Sequence, residues 1–158
     1  MESRIATFAA GSFWGVESTF RQVSGVLATR VGYMGGSVIS PSHEQVGGGQ
    51  TGHAEVCEVT YDPGQVSFED LLAVFWSCHD PAPPGRQDAD LGSQHRSVIY
   101  CHDDHQVEAA ARAVEALDSS GRYPDPLQTE VHRCAEFWPA EEEHQQFLEK
   151  DGRPDCPR

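Results

Sequence analysis

The chain of 158 residues fits one domain spanning 1–158, since domains cluster around ~100–150 residues, and it can bury a core without disulfide staples. Apolar residues make up 38% of it and fall in separated blocks, which argues against a disordered chain. A formal net charge of −14, from 25 acidic against 11 basic residues, repels phosphates and anionic surfaces and so excludes nucleic acid and membrane as partners.

Arg4 to Ala10 reads as a short strand closed by Gly11. Trp14, Val16, Phe20 and Val23 then fall near helical spacing, and Gly25 ends that helix. Val26 to Tyr33 reads as a second strand, rich in residues that suit a pleated surface. Met34 to Gly52 is a long glycine-rich loop, and loops of that length are often functional. Ala54 to Tyr61 is the third strand, turned by Asp62-Pro63-Gly64. Ser67-Phe68-Glu69-Asp70 offers a cap for a helix carrying Leu71, Leu72, Val74, Phe75 and Trp76. A second polar loop runs from Cys78 to Ser93, and Ser97 to Cys101 is a fourth strand. Asp103 and Gln106 open an alanine-rich helix to about Asp118. An edge strand at Thr129 to Arg133 and a helix from Pro139 to Lys150 complete the chain. The opening order is the split-crossover, ferredoxin-like one. The expected fold class is α+β: a two-layer sandwich with a mixed β-sheet, covering helices, and two long loops converging near one edge.

The cysteines at 57, 78, 101, 134 and 156 are odd in number and lie 20 or more residues apart, unlike a disulfide framework or a zinc ribbon. Reduced thiols in a cytoplasmic protein are the simplest expectation. Met1-Glu2-Ser3-Arg4 is no secretory leader, and no apolar run approaches the ~20 residues that span a bilayer.

Gly11-Ser12-Phe13-Trp14-Gly15 sits where the first strand meets the first helix. A side chain there lies near free backbone N–H groups and the positive end of the helix dipole, so a thiol would react as thiolate. A hydroxyl gains little from the same place, and the plain reading of Ser12 is a helix N-cap. Phe13 and Trp14 either wall a pocket for an apolar group such as a methyl or belong to the core. In Thr51-Gly52-His53-Ala54-Glu55, a carboxyl entering a buried strand costs desolvation and is pushed toward its protonated form, which suits a general acid. The alternative is a Glu55 that faces solvent. A metal site is a further reading, since His102 and His105 sit three apart and Cys78 and Cys101 adjoin histidines. No spacing matches a structural zinc set, and no metal or other cofactor is expected.

Several segments in register resemble one family, the type-A peptide methionine-S-sulfoxide reductases. Gly11–Gly15 resembles its G-C-F-W-G, Gly32–Gly36 its G-Y-x-G-G, and Thr51–Glu55 its T-G-H-A-E. Tyr61–Pro63, Phe75-Trp76 with His79–Pro81, the run from Arg86 to Ser97, and Pro139–Glu141 with His144-Gln145 follow in order. The resemblance covers about residues 5–150. It implies reduction of methionine-S-sulfoxide, free or in peptides, by thiolate attack on the sulfoxide sulfur with a glutamic acid protonating the oxygen. A sulfenic acid forms, and thioredoxin or another dithiol regenerates the enzyme.

Carried over residue by residue, the resemblance makes Glu55 the acid, and Phe13 and Trp14 the receptors of the methyl group. Asp90 becomes a hydrogen-bonding aspartate of the site. Cys156 is the resolving thiol placed near the C-terminus, although the usual glycine-rich tail around it is missing. Ser12 stands at the position of the attacking cysteine. His43 and His95 stand where the family has tyrosines that help hold the sulfoxide oxygen. Imidazoles also donate hydrogen bonds, and with a reference pKa of ~6.5 they make a steeper pH dependence of substrate binding than tyrosines. Two readings of different kind follow: a reductase silenced at its nucleophile, or a non-catalytic relative that binds a sulfoxide. Between them lies a reductase of a different sulfoxide.

Overall fold

Strand β1 (Arg4–Ala10) runs through the middle of a six-stranded sheet, and every later element is placed relative to it. The computed structural model describes residues 3–79, 95–123 and 127–150. The other strands are β2 (Val26–Met34), β3 (Ala54–Tyr61), β4 (Ser97–Cys101), β5 (Glu130–Arg133) and β6 (Trp138–Pro139). Their order is β5-β4-β1-β3-β2-β6. The inner four follow the ferredoxin-like order, with β1 antiparallel to both β3 and β4, and β2 antiparallel to β3. β5 pairs parallel to β4 and β6 antiparallel to β2, so the sheet is mixed, as expected.

Helices α1 (Phe13–Arg21), α3 (Phe68–Cys78) and α4 (Asp104–Ser119) supply the second layer, and α2 (His43–Gly47) and α5 (Phe147–Lys150) are short. Strand side chains alternate between faces. Ala6, Phe8 and Ala10 of β1, Cys57 and Val59 of β3, and Ile99 of β4 therefore share one core with Phe20, Leu71, Phe75 and Ala110 of the helices. Phe8 is its centre, with ring centroids 5.0 Å from Phe20 and 5.3 Å from Phe75. The opposite face carries a smaller cluster of Ala9, Met34, Ala54, Val56, Val98 and Tyr100. The same parity puts Glu55 on the helix face of β3, directly across the ladder from Tyr33 of β2.

Two expectations are corrected. The segment from Met34 to Gly52 has structure of its own: α2, whose Ser42 hydroxyl accepts from the Gln45 N–H while the Gln45 side chain accepts from the Ser42 N–H. That reciprocal cap was readable as Ser-x-x-Gln. Pro139 to Lys150 is not one helix. It forms β6, a 3₁₀ turn at Glu142–His144 and the four-residue α5. The helix stops because Gln146 has a left-handed φ of 50° and the Gln145 side chain is claimed by β2. Gln145 accepts from the Val31 N–H at 2.8 Å and donates to the Val31 carbonyl at 2.8 Å. Among the described residues no helix is long and apolar enough to cross a membrane.

Candidate active site

Gly11, with φ of 97°, turns the chain out of β1 in the left-handed region that favours glycine, and delivers Ser12 to the start of α1. Ser12 occupies the N-cap position with extended backbone, yet its side chain makes no capping hydrogen bond. The plain cap reading is therefore half right: Ser12 has the position without the bond. Its carbonyl accepts from the Val16 N–H at 3.3 Å, and its side chain is partly exposed.

The next N–H along, that of Phe13, donates to Glu55 Oε1 at 3.3 Å. Glu55 is only 3% exposed, so the solvent-facing alternative does not hold. Its other oxygen, Oε2, meets two imidazoles, His95 Nε2 at 3.1 Å and His43 Nε2 at 3.8 Å. A buried carboxyl is thus placed one residue from Ser12 and partnered on both oxygens. His43 and His95, with side chains 34% and 29% exposed, are open to the outside, so an oxygen-bearing ligand can reach this cluster.

Phe13 is 1% exposed and packs in the core, while Trp14 is half-buried. Burial bears out the core reading for Phe13, and Trp14 is left partly exposed beside it. Phe13 lies 5.7 Å from the Tyr33 ring and 5.8 Å from the His43 ring. Trp14 stacks on Phe147 at 4.2 Å and donates its indole N–H to His144 Nδ1 at 3.1 Å. His144 and His43 rings stand 4.3 Å apart. Burial, and then the neighbouring His43, depresses the His144 pKa, consistent with a neutral ring accepting from Trp14.

Glu141 ties this wall together. Its two oxygens accept from the Tyr33 hydroxyl and from the His43 N–H, each at 3.0 Å. Burial raises the Glu141 carboxyl, but the hydrogen bonds from His43 and Tyr33 outweigh it and hold the pKa below the usual range. Burial and Glu141 together push the Tyr33 hydroxyl upward. Tyr33, Glu141 and His144 were not among the residues singled out from sequence for the site. Their motifs pointed to them, but no spacing ties residue 33 to residue 141.

The glycine-rich loop is held by His53, buried at 1%. Its Nδ1 accepts from the Gly36 N–H at 3.0 Å, and its Nε2 donates to the Val38 carbonyl at 2.8 Å. Ser12, Phe13, Trp14, His43, Glu55 and His95 are thereby brought to one place. Asp90 and Cys156 lie outside the described residues. Among the described residues no group of three or more His, Cys, Asp or Glu is set to hold a metal, which removes His102, His105, Cys78 and Cys101 as a combined site. Cys57, Cys78 and Cys101 are buried, and Cys134 is exposed.

A model of the family described as peptide methionine sulfoxide reductase matches residues 4–157. A peptide methionine sulfoxide reductase MsrA of Methanothermobacter thermautotrophicus is 54% identical over 151 residues, covering 96% of this chain and 89% of that protein. One from Geobacter metallireducens is 52% identical, covering 96% and 93%. Among solved structures, Mxr1 of Saccharomyces cerevisiae in reduced form superposes with a TM-score of 0.84 at 32% identity, covering 99% of this chain and 90% of that one. Methionine sulfoxide reductase A of Corynebacterium diphtheriae gives 0.82 at 33%, covering 99% and 78%.

Proposed function

The chain belongs to the peptide methionine sulfoxide reductase family, and on that footing we propose that its site takes methionine-S-sulfoxide with the methyl group against Phe13 and Trp14. The sulfoxide oxygen then faces Glu55, His43 and His95, which are the donors available to it. The observation that carries this reading is the buried Glu55 carboxyl between two imidazoles, hydrogen-bonded to the residue next to Ser12.

In the reaction, a thiolate at position 12 attacks the sulfoxide sulfur while Glu55 gives its proton to the oxygen. The S–O bond breaks, methionine leaves with its sulfur reduced by two electrons, and the attacking thiol, oxidised by two, becomes a sulfenic acid. A thiol of the resolving cysteine or of thioredoxin then condenses with the sulfenic acid to a disulfide and water, and a dithiol such as thioredoxin reduces that disulfide, becoming a disulfide itself and freeing the thiol. Ser12 stops this sequence at the first step, because its hydroxyl is not ionised near neutral pH and oxygen is not oxidised in this way. The protein as it stands binds the substrate and does not turn it over. Asp90 as a further hydrogen-bonding group and Cys156 as the resolving thiol belong to the same reading. A cytoplasmic setting, where thiols stay reduced, belongs to the same reading.

Ser12→Cys, assayed with dithiothreitol on free and peptide-bound methionine-S-sulfoxide, is expected to restore turnover. A folded Ser12→Cys protein that stays inert on both sinks the reading. A second reading, a site tuned to another sulfoxide, is favoured by the paired imidazoles of His43 and His95 on Glu55. It predicts that Ser12→Cys reduces a non-amino-acid sulfoxide faster than methionine-S-sulfoxide.

A further inference from the structure

Glu17 is a buried acidic side chain that the reaction above does not use. It lies on α1 one turn beyond Trp14 and is 1% exposed. Three donors converge on its two oxygens. The Gln146 N–H reaches Oε1 at 2.7 Å, and the Thr29 hydroxyl and the Gln146 side-chain amide reach Oε2 at 2.7 and 3.0 Å. Arg21 in turn donates to the Thr29 hydroxyl at 3.2 Å. The Gln146 amide also donates to the Thr29 carbonyl at 3.3 Å.

Gln146 has a left-handed φ of 50°, a conformation unfavourable for a non-glycine residue. Something must hold it there, and two of the three donors aimed at Glu17 come from that residue. The residues on either side of this turn are the ones that touch Trp14. His144 accepts the indole N–H at 3.1 Å, and Phe147 stacks on the ring at 4.2 Å. One carboxyl group on α1 therefore bears on two contacts of an indole on the same helix, by way of a turn 129 residues later in sequence.

We infer that Glu17 is a positioning residue for the sulfoxide pocket: it latches the Gln145-Gln146 turn so that His144 and Phe147 hold Trp14 in place. This rests on the reading of Trp14 as a pocket wall. Glutamine at position 17 keeps the size but turns an NH₂ donor toward groups that are themselves donors, so the latch opens without a cavity.

The test compares Glu17→Gln with Leu72→Ala, a core truncation on α3 beside Ala109 and Ala113 of α4 that lowers stability and lies away from these contacts. The readouts are the Trp14 indole N–H signal in nitrogen-15 NMR, assigned with Trp14→Phe, and calorimetric binding of methionine sulfoxide to the Ser12 protein. Glu17→Gln is expected to move the indole proton upfield and weaken binding by about tenfold, as for loss of charge-assisted hydrogen bonds. Leu72→Ala is expected to leave both unchanged at an equal or larger fall in Tm. An unmoved indole signal in Glu17→Gln, or an equal movement in Leu72→Ala, overturns the inference. If Glu17→Gln does not fold, Gln146→Ala decides. It removes the side-chain amide alone, and it must shift the indole signal in the same direction. A shifted signal in a protein whose unsubstituted form takes up no methionine sulfoxide overturns the pocket reading and leaves the latch standing.

Discussion

His95 Nε2 and Glu55 Oε2 stand 3.1 Å apart, joining residues separated by 40 positions in the chain. His43 approaches the same oxygen from the glycine-rich loop at 3.8 Å. The carboxyl is therefore addressed by imidazoles on one oxygen and by the start of α1 on the other.

Glu55→Gln, made in the Ser12→Cys protein, keeps the shape and the Phe13 N–H contact but removes the carboxyl that the proposed reaction uses as its acid. The expected result is a fall in reduction rate of about 10²–10⁴, with methionine sulfoxide affinity changed only a few-fold. Single-turnover kinetics beside equilibrium binding checks this, and an affinity loss as large as the rate loss contradicts it.

His144 predicts a pH dependence of stability. Its folded-state pKa lies below the unfolded reference of ~6.5, chiefly through burial and then through His43. Above that reference both states are neutral and His144 contributes no slope. As pH falls through it, the unfolded chain takes a proton that the folded protein refuses, so stability declines until the lower folded pKa is passed. His144→Gln, which retains an acceptor for the Trp14 N–H, is expected to shallow the decline between about pH 7.5 and 5.5 in urea unfolding. An unchanged slope counts against the assignment.

The cysteines should separate by reactivity. Burial pushes the Cys57 thiol well up and that of Cys101 up to about 11, and Cys78 is also buried. Cys134 is exposed, although burial of its sulfur raises its pKa as well. In a Cys156→Ser background, a disulfide reagent under native conditions at about pH 8 is expected to label Cys134 slowly and the other three only after denaturation. Loss of the native signal in Cys134→Ser confirms the site, and labelling of Cys57 in the folded protein contradicts the prediction.

Gly36 tests how the loop is held. A Cβ there would run into the backbone N of His53 and the carbonyl of Thr51, neither of which can move without breaking β3's entry. Gly36→Ala is expected to cost about 1–3 kcal/mol and to weaken sulfoxide binding by displacing the loop that carries His43. A melting temperature and an affinity equal to those of the parent protein would show that the loop adapts.

β1, β3 and β4 were readable to the residue, as Arg4–Ala10, Ala54–Tyr61 and Ser97–Cys101, because turn residues and β-branched or aromatic runs bound them. The C-terminal segment was not. His144-Gln145-Gln146-Phe147 has the composition of a helix, and only distant partners, Val31 and Glu17, draw its side chains and backbone into a left-handed turn. Local propensity loses there because hydrogen bonds to buried groups outweigh it.

The site divides the same way. The sequence by itself determined the junction that presents Ser12 and the aromatic pair beside it, since these follow from the end of one strand and the start of one helix, while the direction of Glu55 stayed open until its burial was seen. Only the tertiary structure decided that Ser12 makes no cap, that Glu141 pins Tyr33 and His43, and that Glu17 governs the surroundings of Trp14. Those contacts join residues 12 to 129 positions apart, and nothing local in a chain encodes which buried donor will meet which acceptor once the sheet has closed.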